Sequence, residues 1–250
     1  VAHRSSGALS MVLLAGRPLG FRSRWGFCGD KGEHCLGTAG SVWEEIKRSA
    51  EEAYDRSSSC RFTSVVGYEW TASMDEGKNL HRNVVFRNER VPKLPSSWIE
   101  TPSASALWDH LDRDCLDAGE GCDVLTIPHN SNISSGLMFR SAKIEKSAAP
   151  HPEVDAAEAK RRQRMEPIIE IMQHKGSSEC DVVAGWSNDE TCGFETLAYD
   201  SFGGGRPSMF TPPAQLPAAN NFVRWALTEC LRQQQTPALS GLQHALLASP

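Results

Sequence analysis

The sequence predicts an α/β protein in which parallel-type strands are flanked by helices and joined by long loops. Short apolar runs at residues 64–70, 84–86, 123–129 and 167–175 have the length of buried strands. Segments with helical spacing lie between these runs, and the order strand, helix, strand that leads into the run at 123–129 is typical of parallel α/β architecture.

Two of the predicted helices have clear starting signals. Ser41 with Glu44 makes the pattern of a capping box, which predicts a helix that begins at Ser41 after a glycine-rich loop at residues 27–40. Ser103 begins the second helix, for which Gly119 is a stop signal. Each of these helices leads into one of the predicted strands.

One domain accounts for the patterned part of the sequence. Residues 25–235 contain all the predicted elements, including a charged helix at residues 153–165 and a last helix that begins at Asn221. Residues 1–24 are basic and without periodicity, and residues 236–250 lack the patterning found upstream, so both ends stay unassigned.

The composition is typical of a soluble globular protein and excludes two classes of partner. Hydrophobic residues make up 40% and charged residues 23% of the 250-residue chain. The net charge of -5 provides no basic surface for a nucleic acid. No run approaches the roughly 18 apolar residues of a membrane span.

The chain has eight cysteines, which is many for a cytosolic protein of this size. None forms a C-x-x-C pair, so a zinc ribbon or a thioredoxin-type motif is not indicated. Cys28 and Cys35 have the same spacing as Cys115 and Cys122, and both pairs flank loops. Local disulfides and buried free thiols are both compatible with this pattern. The cysteine count favours a periplasmic or secreted location.

Functional side chains stand at the ends of three apolar runs. His129 follows one run, Glu69 lies within a second, and Glu170 and His174 lie in and just past a third. A buried carboxylate without a partner is costly, so Glu69 needs a cation. A core histidine bonded to the backbone is the alternative for His129, and a loop or helix-start histidine is the alternative for His174. Because α/β folds place their chemistry at the carboxyl ends of strands, we expect these groups to converge.

Further polar residues surround these positions. His81 and Arg82 stand at the entrance to the strand at residues 84–86. Asn130 and Asn132 follow His129 in a polar loop, where such amides either orient a ligand or cap a turn. We predict a site role for Asn130 and turn capping for Asn132.

The candidate ligands predict a divalent metal ion. Carboxylate oxygen and imidazole nitrogen from Glu69, His81, His129 and His174 suit zinc, manganese or iron. Such ions lower the pKa of bound water and stabilise developing negative charge, which predicts a metal-dependent hydrolase. A serine or cysteine nucleophile is less favoured. The sequence has no Gly-x-Ser-x-Gly elbow, and no cysteine is placed with a histidine in a pattern that indicates a catalytic pair.

Several motifs occur in the order found in one family. They are VGYEWT at 66–71, NLHRNV at 79–84, IPHNSN at 127–132 with GLMF at 136–139, EPIIE at 166–170 with QHKG at 173–176 and SEC at 178–180, and DE at 189–190 with FE at 194–195. Together they resemble the DUF3604 family, uncharacterised proteins related to the PHP (polymerase and histidinol phosphatase) metal-dependent hydrolases. The resemblance runs from about Phe27 to Arg232.

The resemblance implies a fold, a ligand set and a substrate class. The fold would be a partial PHP-like distorted β/α barrel with metals at the carboxyl ends of its strands. Glu69 matches a glutamate that bridges two metals in PHP proteins, His129 matches another ligand, and His81 resembles a further one. Phosphoesters are the implied substrates, so Arg82, Lys175 or Arg87 would hold the phosphate oxygens of an anionic small molecule.

The chain also departs from the family pattern. Full-length relatives carry an N-terminal His-x-His strand, a Thr-Asp-His strand and a C-terminal Asp-x-His, and this sequence has none of them. These absences predict an internal piece of a longer protein with little or no hydrolase activity by itself. The alternative function is therefore a non-catalytic truncated homologue or a binding module, and a zinc titration separates it from a competent hydrolase.

Overall fold

The computed structural model describes residues 24–74, 77–140, 156–182, 187–197, 218–234 and 245–247. Its helices are α1 (Glu33–Ala53), α2 (Ala104–Leu111), α3 (Ala156–Met165) and α4 (Val223–Gln234). Its strands are β1 (Val66–Trp70), β2 (Arg82–Phe86), β3 (Val124–Pro128), β4 (Ile168–Glu170), β5 (Met172–Gln173), β6 (Gly176–Ser177) and β7 (Ala245–Leu247). The expectations for residues 1–23, and for most of the loops at 134–152 and 201–219, lie outside the described residues.

Strands β1, β2 and β3 form one sheet, with β2 in the centre. An antiparallel bridge extends the β1 and β2 pair beyond its strand ends. The backbone N–H of His129 donates to the His81 carbonyl and that of Arg87 to the Asp123 carbonyl, so residue numbers rise along β2 as they fall along β3. The expectation of parallel strands is wrong for this sheet. The long connection from β2 to β3 can return the chain to either end of the sheet, so the helix within it does not determine strand direction.

One face of this sheet is covered by α1 and the other is half-buried. Buried and half-buried residues alternate along all three strands, as the two-residue period of a pleated strand requires. On the covered face Trp43 of α1 packs edge to face against Tyr68, with ring centroids 5.9 Å apart, and against Phe86 at 6.2 Å. Trp43 Nε1 also donates to the Pro92 carbonyl at 3.0 Å.

Helix α1 begins at Glu33 and not at Ser41, so the predicted capping box is wrong. Gly32 starts the helix from a left-handed conformation, with φ of 80°, which glycine adopts without the steric cost of a side chain. Ser41 lies inside the helix, where its hydroxyl donates to the Gly37 carbonyl at 3.3 Å. The extra turns include Cys35, whose disulfide to Cys28 ties them to the preceding segment.

Helix α2 begins where the sequence predicts. Ser103 Oγ accepts a hydrogen bond from the Ala106 backbone N–H at 3.1 Å, which satisfies one of the first helical donors. The helix widens into a single π-type turn at Asp112–Leu116. Gly119 then adopts a φ of 75°, which agrees with its predicted role as a stop.

The predicted strand at residues 167–175 is divided in two. β4 pairs parallel with β7, from Ile168 with Ala245 to Glu170 with Leu247. β5 pairs antiparallel with β6 across a two-residue turn. The described strands therefore make one three-stranded and two two-stranded sheets, and within the described ranges they form no closed barrel.

The chain divides into two compact units, one with residues 24–71 and 83–125 and one with residues 72–82 and the described part of 126–247. Strands β2 and β3 contribute residues to both. The first unit contains the Trp43 core. Trp70 in the same unit donates from Nε1 to Thr101 Oγ1 at 2.9 Å.

The second unit contains a buried ion-pair network. Arg82 Nε donates to Glu166 Oε1 at 2.5 Å, and the two side chains are only 2% and 1% exposed. Arg162 Nη1 lies 3.4 Å from Glu166 Oε2 and also donates to the Met138 carbonyl, while its Nη2 donates to the Arg140 carbonyl. These contacts satisfy charges that would otherwise be expensive to bury.

Three disulfides lie within the described residues: Cys28 with Cys35, Cys115 with Cys122, and Cys180 with Cys192. The first two are the pairs with the shared spacing, for which disulfides and free thiols were both open. The third pair was not anticipated. Among the described residues no helix combines the length and the apolar character needed to cross a membrane.

Candidate metal centre

Glu69, His81 and His129 come together at one edge of the three-stranded sheet. Each offers one ligand atom, a carboxylate oxygen or a ring nitrogen, and these atoms all lie within 4.8 Å of one another. Glu69 and His81 are half-buried, and His129 is 4% exposed. Zinc to ligand bonds are about 2.0 to 2.2 Å long, so two ligand atoms of one ion lie at most about 4.4 Å apart, and the spacing of these three atoms is close to that limit.

The antiparallel sheet explains why these three positions meet. β1 and β3 both run opposite to β2, so the carboxyl ends of the outer strands lie beside the amino end of the central strand. Glu69 is near the end of β1, His81 precedes β2 and His129 follows β3. In the alternation of the pleat, Glu69 falls between the buried Tyr68 and Trp70 and so belongs to the half-buried face, and His81 is the half-buried residue directly before the buried Arg82.

His81 is held through one ring nitrogen. Ser73 Oγ lies 3.2 Å from His81 Nε2, within hydrogen-bond distance. The His81 and His129 rings pack edge to face with centroids 5.7 Å apart. An imidazole that is oriented through one nitrogen can bind a metal ion through the other, and such outer contacts fix the direction of the ring.

Asn79 contacts two successive backbone carbonyl groups, those of His129 and Asn130. Its Nδ2 donates to the His129 carbonyl at 3.1 Å and lies 3.5 Å from the Asn130 carbonyl. Its backbone N–H donates to the Ile133 carbonyl at 2.9 Å. Asn79 is 2% exposed, so the His129 loop is fastened from inside the protein.

The two asparagines of this loop have different environments. Asn130 is fully buried with φ of 52° and makes no side-chain cap on the 3-10 turn that it precedes. Asn132 donates from Nδ2 to the Lys175 carbonyl at 3.0 Å and accepts from Ser178 Oγ at 2.8 Å. Asn132 therefore joins its loop to the segment around β6, and the expectation that it caps a local turn is wrong.

Arg82 lies on the covered face of the sheet, in the Glu166 ion pair, and also donates from Nη1 to the Leu80 carbonyl at 2.7 Å. Burial lowers the pKa of Arg82, and the neighbouring Glu166 carboxylate opposes that shift. The predicted contact of Arg82 with a phosphate group stays a prediction.

His174 and Lys175 form the turn between β5 and β6. His174 is exposed and lies outside the Glu69, His81 and His129 group. Lys175 is half-buried, and its carbonyl accepts the hydrogen bond from Asn132. Glu170, at the end of β4, is 9% exposed and accepts a hydrogen bond from Gln173 Nε2 at 2.9 Å.

A comparison with protein-family models matches most of this chain to a family. The family described as protein of unknown function (DUF3604) matches residues 24–250. The chain belongs to the DUF3604 family. Searches of curated proteins and of solved structures found no match. The resemblance to the DUF3604 family that the motifs predicted is thus confirmed.

The donor set of this DUF3604 protein fits a divalent transition metal. One carboxylate oxygen and two imidazole nitrogens are intermediate between the all-oxygen sites of magnesium and the thiolate sites of soft metals. Zinc, manganese and iron all accept such ligands, and three protein ligands leave a position open for water or substrate.

Two residues of this DUF3604 site were missed from the sequence alone. Ser73 and Asn79 hold His81 and the His129 loop respectively, and Asn79 was noted only as part of a motif. A polar residue directly before an apolar strand is a weak signal, because most such residues face solvent. The detectable clue was that Asn79 lies two residues before His81 and therefore shares its edge of the sheet.

Proposed function

We propose that this DUF3604 protein is a metal-dependent hydrolase that binds a divalent ion through Glu69, His81 and His129. The observation that carries the proposal is the convergence of three ligand atoms within 4.8 Å at one sheet edge. When bound, the ion supplies a water molecule of lowered pKa and an electrophilic centre for developing negative charge. Zinc, manganese and iron are the candidate ions.

The protein's own residues orient the ligands. Ser73 supports the His81 ring, and Asn79 fixes the carbonyl groups of His129 and Asn130. The packing of one imidazole against the edge of the other restricts both rings. A site held this way loses little conformational entropy when it binds an ion, because its ligands are already placed.

Phosphoesters are the proposed substrate class. The motif resemblance to the PHP hydrolases supports this class, and a distorted β/α barrel is the corresponding proposal for the complete fold. Lys175 is the proposed cation for the substrate, because Asn132 fastens its backbone to the loop that follows His129. A half-buried lysine here can contribute charge without the desolvation cost of full burial.

A periplasmic or secreted location is part of the proposal. Three disulfides in the described residues are consistent with an oxidising compartment, since cytosolic proteins rarely retain such bonds.

Metal content is the first test of the function. The full chain is equilibrated with zinc, manganese or anaerobic ferrous iron, desalted and analysed for bound metal. We expect stoichiometric binding, and we expect Glu69→Gln, His81→Gln and His129→Gln each to weaken it by about 10-fold or more, as loss of a ligand or its support typically does. His34→Gln is the control, because His34 is exposed on α1 and is expected to leave metal content unchanged. Metal loss in that control, or retention in all three ligand variants, contradicts the proposed site.

Turnover is the second test, with aryl phosphate monoesters and diesters as separate substrates. Lys175→Gln is expected to raise KM and to leave metal content unchanged. Lys47→Gln on α1 is the control and is expected to leave both KM and metal content unchanged. Metal binding without turnover on either ester would favour the alternative, a binding module. His174→Gln shows whether the exposed histidine of the β5 to β6 turn contributes a further ligand.

A further inference from the structure

Three buried polar groups cluster around the peptide that follows His129. Both side-chain amide atoms of Asn130 are inaccessible to solvent and have no hydrogen-bond partner among the described residues. The same holds for Oδ1 of Asn79 and Oγ of Ser131. Buried amides and hydroxyls are nearly always hydrogen-bonded, so atoms of this kind indicate an ion or a water molecule inside the protein.

The orientation of the Asn79 amide follows from its partners. Its Nδ2 faces two carbonyl oxygens, which only a donor satisfies, so Oδ1 must point elsewhere as an acceptor. Asn79 therefore aligns the carbonyl groups of His129 and Asn130, and its own oxygen needs a donor such as water. This arrangement fixes the backbone from which the Asn130 side chain projects.

The backbone of Asn130 is left-handed where the chain enters the 3-10 turn at Ser131–Ile133, and its carbonyl accepts a hydrogen bond from the Ile133 N–H at 3.2 Å. Its φ of 52° and ψ of 47° are left-handed, which costs a non-glycine residue energy, although asparagine tolerates it best. The side chain gives no cap to the following turn. Non-glycine residues in sparsely populated backbone conformations are frequent at functional sites. The turn also interrupts the strand alternation, so Asn130 need not face away from His129.

We propose that Oδ1 of Asn130 is a further oxygen ligand to the metal ion held by Glu69, His81 and His129. The inference rests on the proposed function, because it requires that ion. Consecutive Cα atoms are about 3.8 Å apart, so an Asn130 side chain that turns toward the Glu69, His81 and His129 group reaches the ion bound to its neighbour. A carbonyl oxygen suits manganese better than zinc, so Asn130 raises the preference of the site for manganese.

Metal affinity of three variants tests this role. Manganese binding is followed by the loss of the free-ion electron paramagnetic resonance signal, and zinc binding by competition with a chromophoric chelator. We expect Asn130→Ala to weaken manganese binding by about 10-fold or more, with a smaller effect on zinc. Asn130→Asp retains an oxygen at the same position and adds charge, so it is expected to bind manganese at least as tightly as the wild type.

Asn132→Ala is the matched control. Asn132 is also a buried asparagine of this loop, but its side-chain amide already donates to the Lys175 carbonyl and accepts from Ser178 Oγ. We expect lower thermal stability and unchanged manganese affinity. Melting curves of the metal-free proteins verify that each variant is folded, and Asn130→Asp serves as the test if Asn130→Ala does not fold.

The outcomes separate the two proposals. If the wild type binds no metal, both fail. If the wild type binds manganese and Asn130→Ala binds it equally well, the ligand role of Asn130 is overturned and the proposed function stands. Weaker manganese binding by Asn130→Asp also overturns it, because that result indicates an amide donor to a metal-bound water and not a direct oxygen ligand.

Discussion

The imidazole rings of His81 and His129 lie edge to face, with centroids 5.7 Å apart and an angle of 82° between the ring planes. The two residues flank different strands, β2 and β3, and are adjacent because the His129 backbone N–H donates to the His81 carbonyl at 3.4 Å. Backbone pairing in the sheet thus brings the two side chains together before any ion is present. Metal binding at this edge requires no change in the pairing of β2 and β3.

We predict that a bound metal stabilises the protein. Free ion at about 100 times the dissociation constant adds about 2.7 kcal/mol to the free energy of unfolding. For a chain of this size that corresponds to a rise in melting temperature of roughly 5 to 10 °C. Differential scanning fluorimetry with and without the ion measures the shift. His129→Gln should remove it, and an equal shift in that variant would mean that the metal binds elsewhere.

The second prediction concerns the buried ion pair of Arg82 with Glu166. Arg82→Met removes the nearer of the two arginines that contact the buried Glu166 carboxylate, so we expect a loss of about 3 to 5 kcal/mol in unfolding free energy. Arg87→Met, at an exposed position just past β2, is the control and should change stability by less than about 0.5 kcal/mol.

A double-mutant cycle checks the origin of that loss. If the cost comes from an uncompensated charge, Arg82→Met with Glu166→Gln should be more stable than the sum of the two single changes predicts. Urea unfolding of the four proteins gives the coupling energy. Additive single effects would show that the pair contributes through packing and not through charge.

The third prediction concerns the Cys180 to Cys192 disulfide. The bond closes a loop with a sequence separation of 12, so replacing both cysteines by serine should cost about 2 to 3 kcal/mol. Chemical unfolding measures the loss. Cys60→Ser is the control, because Cys60 is an exposed free thiol in the described part of the chain. Peptide mapping without reduction should recover the Cys180 and Cys192 peptides joined, and their separate recovery would contradict the pairing.

The fourth prediction is a pH dependence that arises from His110. Burial lowers the pKa of His110 below its ordinary value of 6.5, and Asp114, with Oδ2 at 3.0 Å from Nδ1, partly opposes the shift. A histidine with a lowered folded pKa binds a proton more readily when unfolded. Its contribution to stability is therefore complete above pH 6.5 and is lost as the pH falls through the folded pKa.

The measurement is urea unfolding of the wild type and of His110→Gln between pH 5 and pH 8. The wild type should lose stability relative to the variant as the pH decreases below about 6.5. If the two proteins showed the same change of unfolding free energy with pH, burial would not lower the pKa of His110.

Local sequence patterns determined much of the candidate site. The positions of Glu69, His81 and His129 in or beside strands could be predicted from short apolar runs, because buried strands leave such runs in the sequence. The Ser103 cap could also be read, because capping depends on neighbours only three residues away. The motif order likewise indicated the family. These features depend on contacts that are close in the sequence.

Only the tertiary structure decided which strands pair and in which direction. A strand has the same residue pattern in parallel and antiparallel sheets when one face is half-buried, so the direction of β2 against β3 was not encoded locally. The start of α1 at Glu33 could not be predicted from local pattern, because the Ser41 capping pattern lies inside the helix. The turns before Ser41 include Cys35, whose disulfide to Cys28 joins them to the preceding segment. Arg82 meets Glu166 across 84 residues of sequence, and Asn79 meets His129 across 50. Buried charges and amide groups need such partners, and which groups become buried together depends on how distant segments pack.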